Sequence, residues 1–159
     1  PVLLVGYGRI GRKVAEMLRP FGAKVLVADP FLDAASLAAG EELVTLEEGL
    51  ARARVISLHA SGTALLLGPA QFEAMRPGTF LLNSARGELV DEAALLAALD
   101  SGKLAGAWFD AFWQEPYQGD LLKYHQVLLT PHAGTYTEQC RLAMETDAVR
   151  NLLRDLELV

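Results

Sequence analysis

Residues 2–12, Val-Leu-Leu-Val-Gly-Tyr-Gly-Arg-Ile-Gly-Arg, constrain the fold of this chain more than any other stretch. The four apolar residues Val2 to Val5 read as a buried parallel strand. Gly6, Gly8 and Gly11 follow at Gly-x-Gly-x-x-Gly spacing. A helical pattern then begins, with Ile10, Val14, Met17 and Leu18 on one face and Arg12, Lys13, Glu16 and Arg19 on the other. Gly6 permits a tight turn out of the strand. Gly8 lets a pyrophosphate approach the backbone, and Gly11 lets the helix pack close to the sheet. The helix N-terminus offers unpaired N–H groups and a partial positive charge to phosphate.

By itself this glycine pattern is a weak signal, so its context matters. A second strand, Lys24-Val-Leu-Val-Ala28, ends at Asp29, 18 residues past Gly11. A carboxylate at that place accepts hydrogen bonds from both hydroxyls of an adenosine ribose. Pro30 and Phe31 follow it rather than Arg or Lys. Nothing there neutralises a 2′-phosphate, so NAD is expected in preference to NADP, with Asp29 and Pro30 among its contacts.

The rest of the chain alternates strand and helix. A first helix runs from Arg9 to Arg19 and is stopped by Pro20 and Gly22. Residues 33–39 read as a short helix and Val44 as a minimal third strand. Thr45 caps a helix over Leu46–Ala51 with Glu47 and Glu48 in its first turn. Strands are expected over Arg54–Leu58, Thr79–Leu82, Leu104–Phe109 and Val127–Leu129. Helices are expected over Ala70–Met75, over Glu92–Leu99 behind Asp91, and from Thr135 or Thr137 to about Leu156. This order predicts an α/β fold: a doubly wound parallel sheet of the Rossmann type, six to seven strands, with helices on both faces.

In such sheets ligands bind beyond the C-terminal strand ends. The polar residues cluster there: the glycine loop, Asp29, His59, Ser84 to Arg86, Asp110 and His132. Arg86, in a tight turn after the fifth strand, has the fork geometry to hold a carboxylate. His132 has an ordinary pKa near neutrality and suits a general acid/base. Glu115, on the loop after the sixth strand, can orient that imidazole and stabilise its charge. Taken singly, each has a structural reading: a surface ion pair, a structural histidine, a solvated carboxylate.

Composition narrows the function further. Half the residues are apolar and the mean hydropathy is +0.23, yet no run approaches the ~20 residues needed to span a bilayer. That excess predicts a surface covered by another domain or subunit. A net charge of −6 without a basic run argues against nucleic acid and anionic membrane as partners. One cysteine, Cys140, excludes an internal disulfide, and without a signal peptide the expected location is cytoplasmic. No metal site is read from the sequence.

Longer blocks carry a resemblance. The chain resembles the NAD-binding domain of the D-2-hydroxyacid dehydrogenases, the phosphoglycerate, glycerate and D-lactate dehydrogenase group. The blocks are Gly6–Gly11, Met75-Arg-Pro-Gly-Thr-Phe-Leu-Leu-Asn-Ser-Ala-Arg-Gly-Glu-Leu-Val-Asp-Glu92, Gly102-Lys-Leu-Ala-Gly-Ala-Trp-Phe-Asp-Ala-Phe-Trp-Gln-Glu-Pro116 and Thr130-Pro-His-Ala-Gly134. The resemblance implies that Arg86 binds the acid group of a 2-hydroxy or 2-keto acid. It implies that His132 exchanges the hydroxyl proton and that Glu115 supports it. The backbone of Arg9 and Ile10 then holds the pyrophosphate and Asp29 the ribose. His59, Ala85 and Asp110 lie along the nicotinamide half. Residues 60–63, Ala-Ser-Gly-Thr, and the short loop to Gly68 depart from the family pattern around His59. Glu115 argues against formate, since formate-oxidising relatives carry Gln there.

The family also has a substrate-binding domain, built from residues before and after this stretch. Residues 1–159 therefore read as one dinucleotide-binding domain truncated at both ends, with the substrate domain missing and little turnover expected alone. A homodimer is expected, as in the family. The alternative is a non-catalytic NAD-sensing interaction module of the co-repressor type; activity of the full-length parent on 2-keto acids separates the two.

Overall fold

The computed structural model describes residues 1–157. Seven parallel strands form one sheet in the order β3-β2-β1-β4-β5-β6-β7. They are β1 (Val2–Val5), β2 (Val25–Ala28), β3 (Glu41–Leu43), β4 (Val55–Leu58), β5 (Thr79–Asn83), β6 (Leu104–Phe109) and β7 (Val127–Leu129). Five α-helices accompany them: α1 (Arg9–Leu18), α2 (Leu46–Arg52), α3 (Pro69–Ala74), α4 (Glu92–Asp100) and α5 (Glu138–Asp155). The strand order reverses at β1, which pairs with β2 on one side and β4 on the other. The crevice at that reversal is where an open α/β sheet binds its ligand.

Burial explains the layers. Leu3, Val5, Leu26, Ile56, Leu58, Leu81 and Phe109 join Leu50, Phe72 and Leu95 from α2, α3 and α4 in one core. Leu4, Val25 and Val27 point the other way, against Ala15 of α1 and Tyr7. Alternate residues of β1 thus feed two cores, which is why the strand is apolar throughout. The second layer is incomplete. Phe80 of β5 and Leu128 of β7 are 45% and 62% exposed, with Leu82 and Trp108 in register between them, half-buried. Helix α5 has no buried residue. Exposed apolar side chains are thus found on one face of β5–β7 and along α5, among other places.

Two expectations are corrected, and one choice between alternatives is resolved. Residues 33–39 hold only a 3-10 turn, Ala34–Ser36, started by the Asp33 side chain; Asp33 and Ser36 bond each other instead of propagating a helix. The third strand is Glu41–Leu43 rather than Val44, whose N–H makes the last bond to β2, with Val27. Its two glutamates concealed it: this edge strand is half-buried and is held by ladder bonds and by Glu41 and Glu42 side chains. The cap of α5 is Thr137, which accepts from Cys140 N–H.

Candidate active site

The glycine turn is closed by the chain's own packing at two of its three positions. Gly6 has φ +90°, and a Cβ there would lie 2.5 Å from the Ala60 nitrogen. Gly11 backs onto the Gly6 carbonyl, 2.3 Å from where its Cβ would be. Gly8 differs: no protein atom lies within 4 Å of a Cβ built there. Its missing side chain leaves space open directly in front of α1.

The N-terminus of α1 is open as well. Helix α2 is closed by a capping box between Thr45 and Glu48, α4 by Asp91 and α5 by Thr137. Helix α1 has no side-chain cap and no acid in its first turn. Among the described residues, the N–H groups of Arg9 and Ile10 find no acceptor. Open N–H groups, a helix dipole and an empty cradle at Gly8 together fit a pyrophosphate.

At the end of β2, Asp29 accepts from Tyr7 N–H (2.8 Å) on one oxygen and from Phe31 N–H (3.0 Å) on the other. Each carboxylate oxygen retains a further acceptor direction. Two backbone donors thus fix the carboxylate, which can still take a ribose diol. Pro30 stands exposed on the same turn.

A cleft of about 440 Å³ joins Arg9, Ile10, His59, Ser84, Ala85 and Arg86. The turn that carries Arg86 is set by Asn83, which is fully buried: its Nδ2 donates to the Arg86 carbonyl (2.8 Å) and its Oδ1 accepts from Ala85 N–H (3.0 Å). Arg86 is exposed; its guanidinium donates to the Ala85 carbonyl (2.8 Å) and, among the described residues, pairs with no carboxylate. At Gly87 a Cβ would meet the Phe112 carbonyl carbon at 2.3 Å. That glycine lets the loop after β6 pass against the Arg86 turn.

The same loop presents Glu115. Trp113 anchors it by donating to the Val90 carbonyl (2.7 Å) and by stacking on Phe109. Phe112 stacks on Tyr117. Both Glu115 oxygens approach His132 Nδ1, at 2.9 and 3.0 Å, and Oε1 also accepts from Phe112 N–H. An ionised carboxylate only accepts, so Nδ1 carries a proton, and in the neutral imidazole Nε2 keeps its lone pair. The His132 bond, the Phe112 N–H and the Arg86 charge hold the Glu115 carboxyl below its ordinary range. His132 itself has φ +52°, a left-handed conformation unusual for a non-glycine residue and typical of functional sites.

Asp110 sets that turn. It is buried, and its carboxylate accepts from the Thr130 hydroxyl, Ala133 N–H (2.9 Å) and Gly134 N–H (3.1 Å). Burial pushes its pKa up, but these three hydrogen bonds and the nearby His132 outweigh burial and leave it lowered. Asp110 therefore brackets His132 from both sides in sequence. The carboxylate expected along the nicotinamide half is spent largely on the chain's own turn. Asn83 and Thr130 escaped the sequence reading. Their signal was their place inside the blocks Met75–Glu92 and Thr130–Gly134.

The structure thus gathers Arg9, Ile10, His59, Ala85 and Arg86 around one cleft, and pairs Glu115 with His132 on the adjoining loops. Glu115 itself borders a second, apolar cavity of about 340 Å³ with Phe112, Pro116, Tyr117 and Leu129. Among the described residues no group of histidine, cysteine and carboxylate side chains is arranged to hold a metal ion, and no helix is long and apolar enough to cross a membrane.

Residues 1–134 match the family described as D-isomer specific 2-hydroxyacid dehydrogenase, NAD binding domain. The chain belongs to that family. It is 41% identical over 152 residues to the D-lactate/D-glycerate dehydrogenase of Pediococcus acidilactici, covering 84% of this chain and 46% of that protein. It superposes on a glyoxylate reductase from Paecilomyes thermophila with a TM-score of 0.89 at 34% identity, covering 95% of this chain and 47% of that one. The NAD-complexed D-isomer specific 2-hydroxyacid dehydrogenase of Lactobacillus delbrueckii ssp. bulgaricus gives 0.86 at 31% identity, over 98% and 53%. The chain spans about half the length of these relatives. All are named as dehydrogenases or reductases, which lends no support to the co-repressor reading.

Proposed function

We propose that this chain is the cofactor-binding half of an NAD-dependent D-2-hydroxyacid dehydrogenase. The observation that carries the proposal is one continuous rim. The open N-terminus of α1 leads into the cleft that ends at Arg86, and the Glu115–His132 pair stands on the neighbouring loop. NAD, when bound, supplies the hydride acceptor or donor. Backbone N–H groups of Arg9 and Ile10 bind its pyrophosphate across Gly8, and Asp29 holds the adenosine ribose. Asp29 is followed by Pro30 and Phe31 rather than Arg or Lys, which favours NAD over NADP.

Arg86 binds the carboxylate of the 2-hydroxy or 2-keto acid with its free guanidinium. His132 Nε2 takes the hydroxyl proton in oxidation and returns it in reduction. Glu115 holds Nδ1–H and stabilises the imidazolium that forms. Arg86, Glu115 and His132 are all exposed, so an acid held by them meets water on its open side. Excluding that water is the role of a second, substrate-binding domain present in the longer protein. The uncovered face of Phe80, Leu82, Trp108 and Leu128 suits a contact with that domain or with a second subunit in a homodimer.

The test is calorimetric titration of the 159-residue chain with NADH, followed by a turnover assay with a panel of 2-keto acids. Micromolar to sub-millimolar binding with little turnover is expected. No binding would refute the cofactor assignment, and robust turnover would show the second domain to be dispensable.

A further inference from the structure

His59 stands where the sheet's backbone ladder stops. Strands β4 and β5 pair in register as far as Leu58 and Asn83. On its other side the His59 N–H still bonds the Val5 carbonyl at 2.7 Å. Toward β5 the side chain takes over from the backbone. Nε2 lies 2.9 Å from the Ser57 hydroxyl, and Nδ1 lies 3.2 Å from the Ser84 hydroxyl, whose own proton goes to the Leu58 carbonyl at 3.4 Å. Each hydroxyl has one proton to give. With the Ser84 proton on the Leu58 carbonyl, Ser84 accepts from Nδ1–H. Nε2 is then left to accept from Ser57, which is buried in the floor of the sheet. The opposite tautomer would take the Ser84 donor from the carbonyl and, among the described residues, leave the buried Ser57 proton without an acceptor. The order Ser57 O–H to Nε2, Nδ1–H to Ser84, Ser84 O–H to Leu58 satisfies every member with one tautomer.

The surroundings keep the ring uncharged. Burial pushes His59 below the ordinary histidine range. The charged side chains lining its cleft are Arg9 from the start of α1 and Arg86 from the turn after β5, and no carboxylate lines it.

We propose that His59 is a positioning residue, held in its Nδ1–H tautomer, that clamps the end of β4 to the turn carrying Ala85 and Arg86 and so fixes the wall of the cleft against the nicotinamide half of the cofactor. This rests on the NAD-binding reading above. It makes His59 distinct from His132: one imidazole exchanges protons, and the other holds a turn in place by never doing so.

Two measurements test the clamp on the chain as it stands. Imidazole ¹⁵N spectra at neutral pH, with the His59 signals identified by their loss in H59Q, are expected to show a protonated Nδ1 and an unprotonated Nε2. An Nε2–H tautomer, or rapid averaging between the two, would overturn the proposal. The second measurement is binding of NADH and of ADP-ribose to H59N, H59Q and S84A. Asparagine keeps an amide N–H where Nδ1 stood, whereas the glutamine amide reaches the place of Nε2 and leaves Ser84 without its donor. H59N is expected to hold NADH within about threefold, whereas H59Q and S84A weaken it by about three- to tenfold, the range of one hydrogen bond. ADP-ribose, which lacks nicotinamide, is expected to bind all variants alike. Equal NADH affinity in S84A and the unaltered chain would refute the clamp. Failure of the unaltered chain to bind NADH would refute the cofactor reading instead, and the spectra would still decide the tautomer.

Discussion

The two ends of the rim are built on opposite principles. At the adenosine end, between Gly6 and Asp29, side chains and backbone turn inward: Gly6 and Gly11 pack backbone on backbone, and Asp29 is fixed by two N–H groups. What is left open there is backbone, at Gly8 and the first turn of α1. At the acid-handling end, the open groups are side chains. Among the described residues Arg86 has no acidic partner, and His132 and Glu115 have side chains 45% and 42% exposed. A backbone cradle on a closed core needs nothing more to hold a dinucleotide. Three side chains facing solvent can hold a substrate but cannot dry it. The difference teaches that the proposed cofactor cradle is backbone seated on a closed core, whereas the side chains proposed to handle the acid face solvent.

The sharpest way to break that contrast is Gly8→Val. No protein atom lies within 4 Å of the new Cβ, and the backbone at Gly8 (φ −74°, ψ −155°) is open to any L residue. Thermal stability is expected to change by less than about 1 kcal/mol. NADH affinity is expected to fall roughly 100-fold or more, because two charge-assisted N–H contacts are blocked. A large stability loss with intact binding would make Gly8 a packing glycine and remove the cradle. Asp29→Ala should act next most strongly. It strips the ribose of its acceptor and leaves Tyr7 and Phe31 N–H unpaired. A loss of about 10- to 100-fold for NADH is expected, with a smaller loss for NADPH, whose phosphate no longer meets a carboxylate. Equal losses for both would show that Asp29 does not choose between them.

The acid-handling end is tested through Asp110. Asn at this position offers an amide N–H where the carboxylate accepted from Ala133 and Gly134, so one donor is left facing another. A stability loss of about 2–3 kcal/mol is expected, read by denaturant unfolding at neutral pH. The pH dependence has a definite sign. The folded-state pKa of Asp110 is lowered, so its contribution is complete above the unfolded value of about 3.9 and is lost as pH falls through the folded one. The Asp110→Asn variant should therefore lose less stability than the unaltered chain on acidification below that value. Parallel acid limbs in the two proteins would show that the carboxylate is not the group that matters.

How much of this was readable beforehand follows from where each residue's constraint lies. The fingerprint, the seven-strand alternation and the cap at Asp91 are local patterns: a run, a spacing, a cap. They appear in the sequence because one turn of backbone suffices to require them. Strand β3 was misplaced because an edge strand carrying Glu41 and Glu42 has no hydrophobic signature. The helix expected over 33–39 failed because Asp33 and Ser36 bond each other locally. At the site, Arg86, Glu115 and His132 were legible as chemistry. The residues that hold them were not. Asn83 and Ser57 are ordinary polar residues that bond two or three positions along their own segment, and Thr130 reaches across to Trp108 and Asp110; no spacing or run in the sequence marks any of the three.

Helix caps provide the mildest test of the same comparison, because they separate closed helix ends that carry the fold from those that do not. Helix α2 has a capping box and buries Gly49 and Leu50 against the sheet, whereas α5 has an equivalent threonine cap and buries nothing. The two caps are alike in chemistry, each a threonine oxygen accepting an N–H at 3.1 Å. If a cap stabilises a protein only through the core its helix covers, their removal must differ. Thr45→Ala is expected to lower global stability by about 1 kcal/mol. Thr137→Ala is expected to leave the unfolding midpoint in place and to speed amide exchange only in the first turn of α5, since that end opens without exposing any core. Equal shifts of the midpoint would mean that α5 is packed in solution, covering the apolar face of β5–β7. The acid-handling end would then be better enclosed within this chain than its exposed side chains indicate.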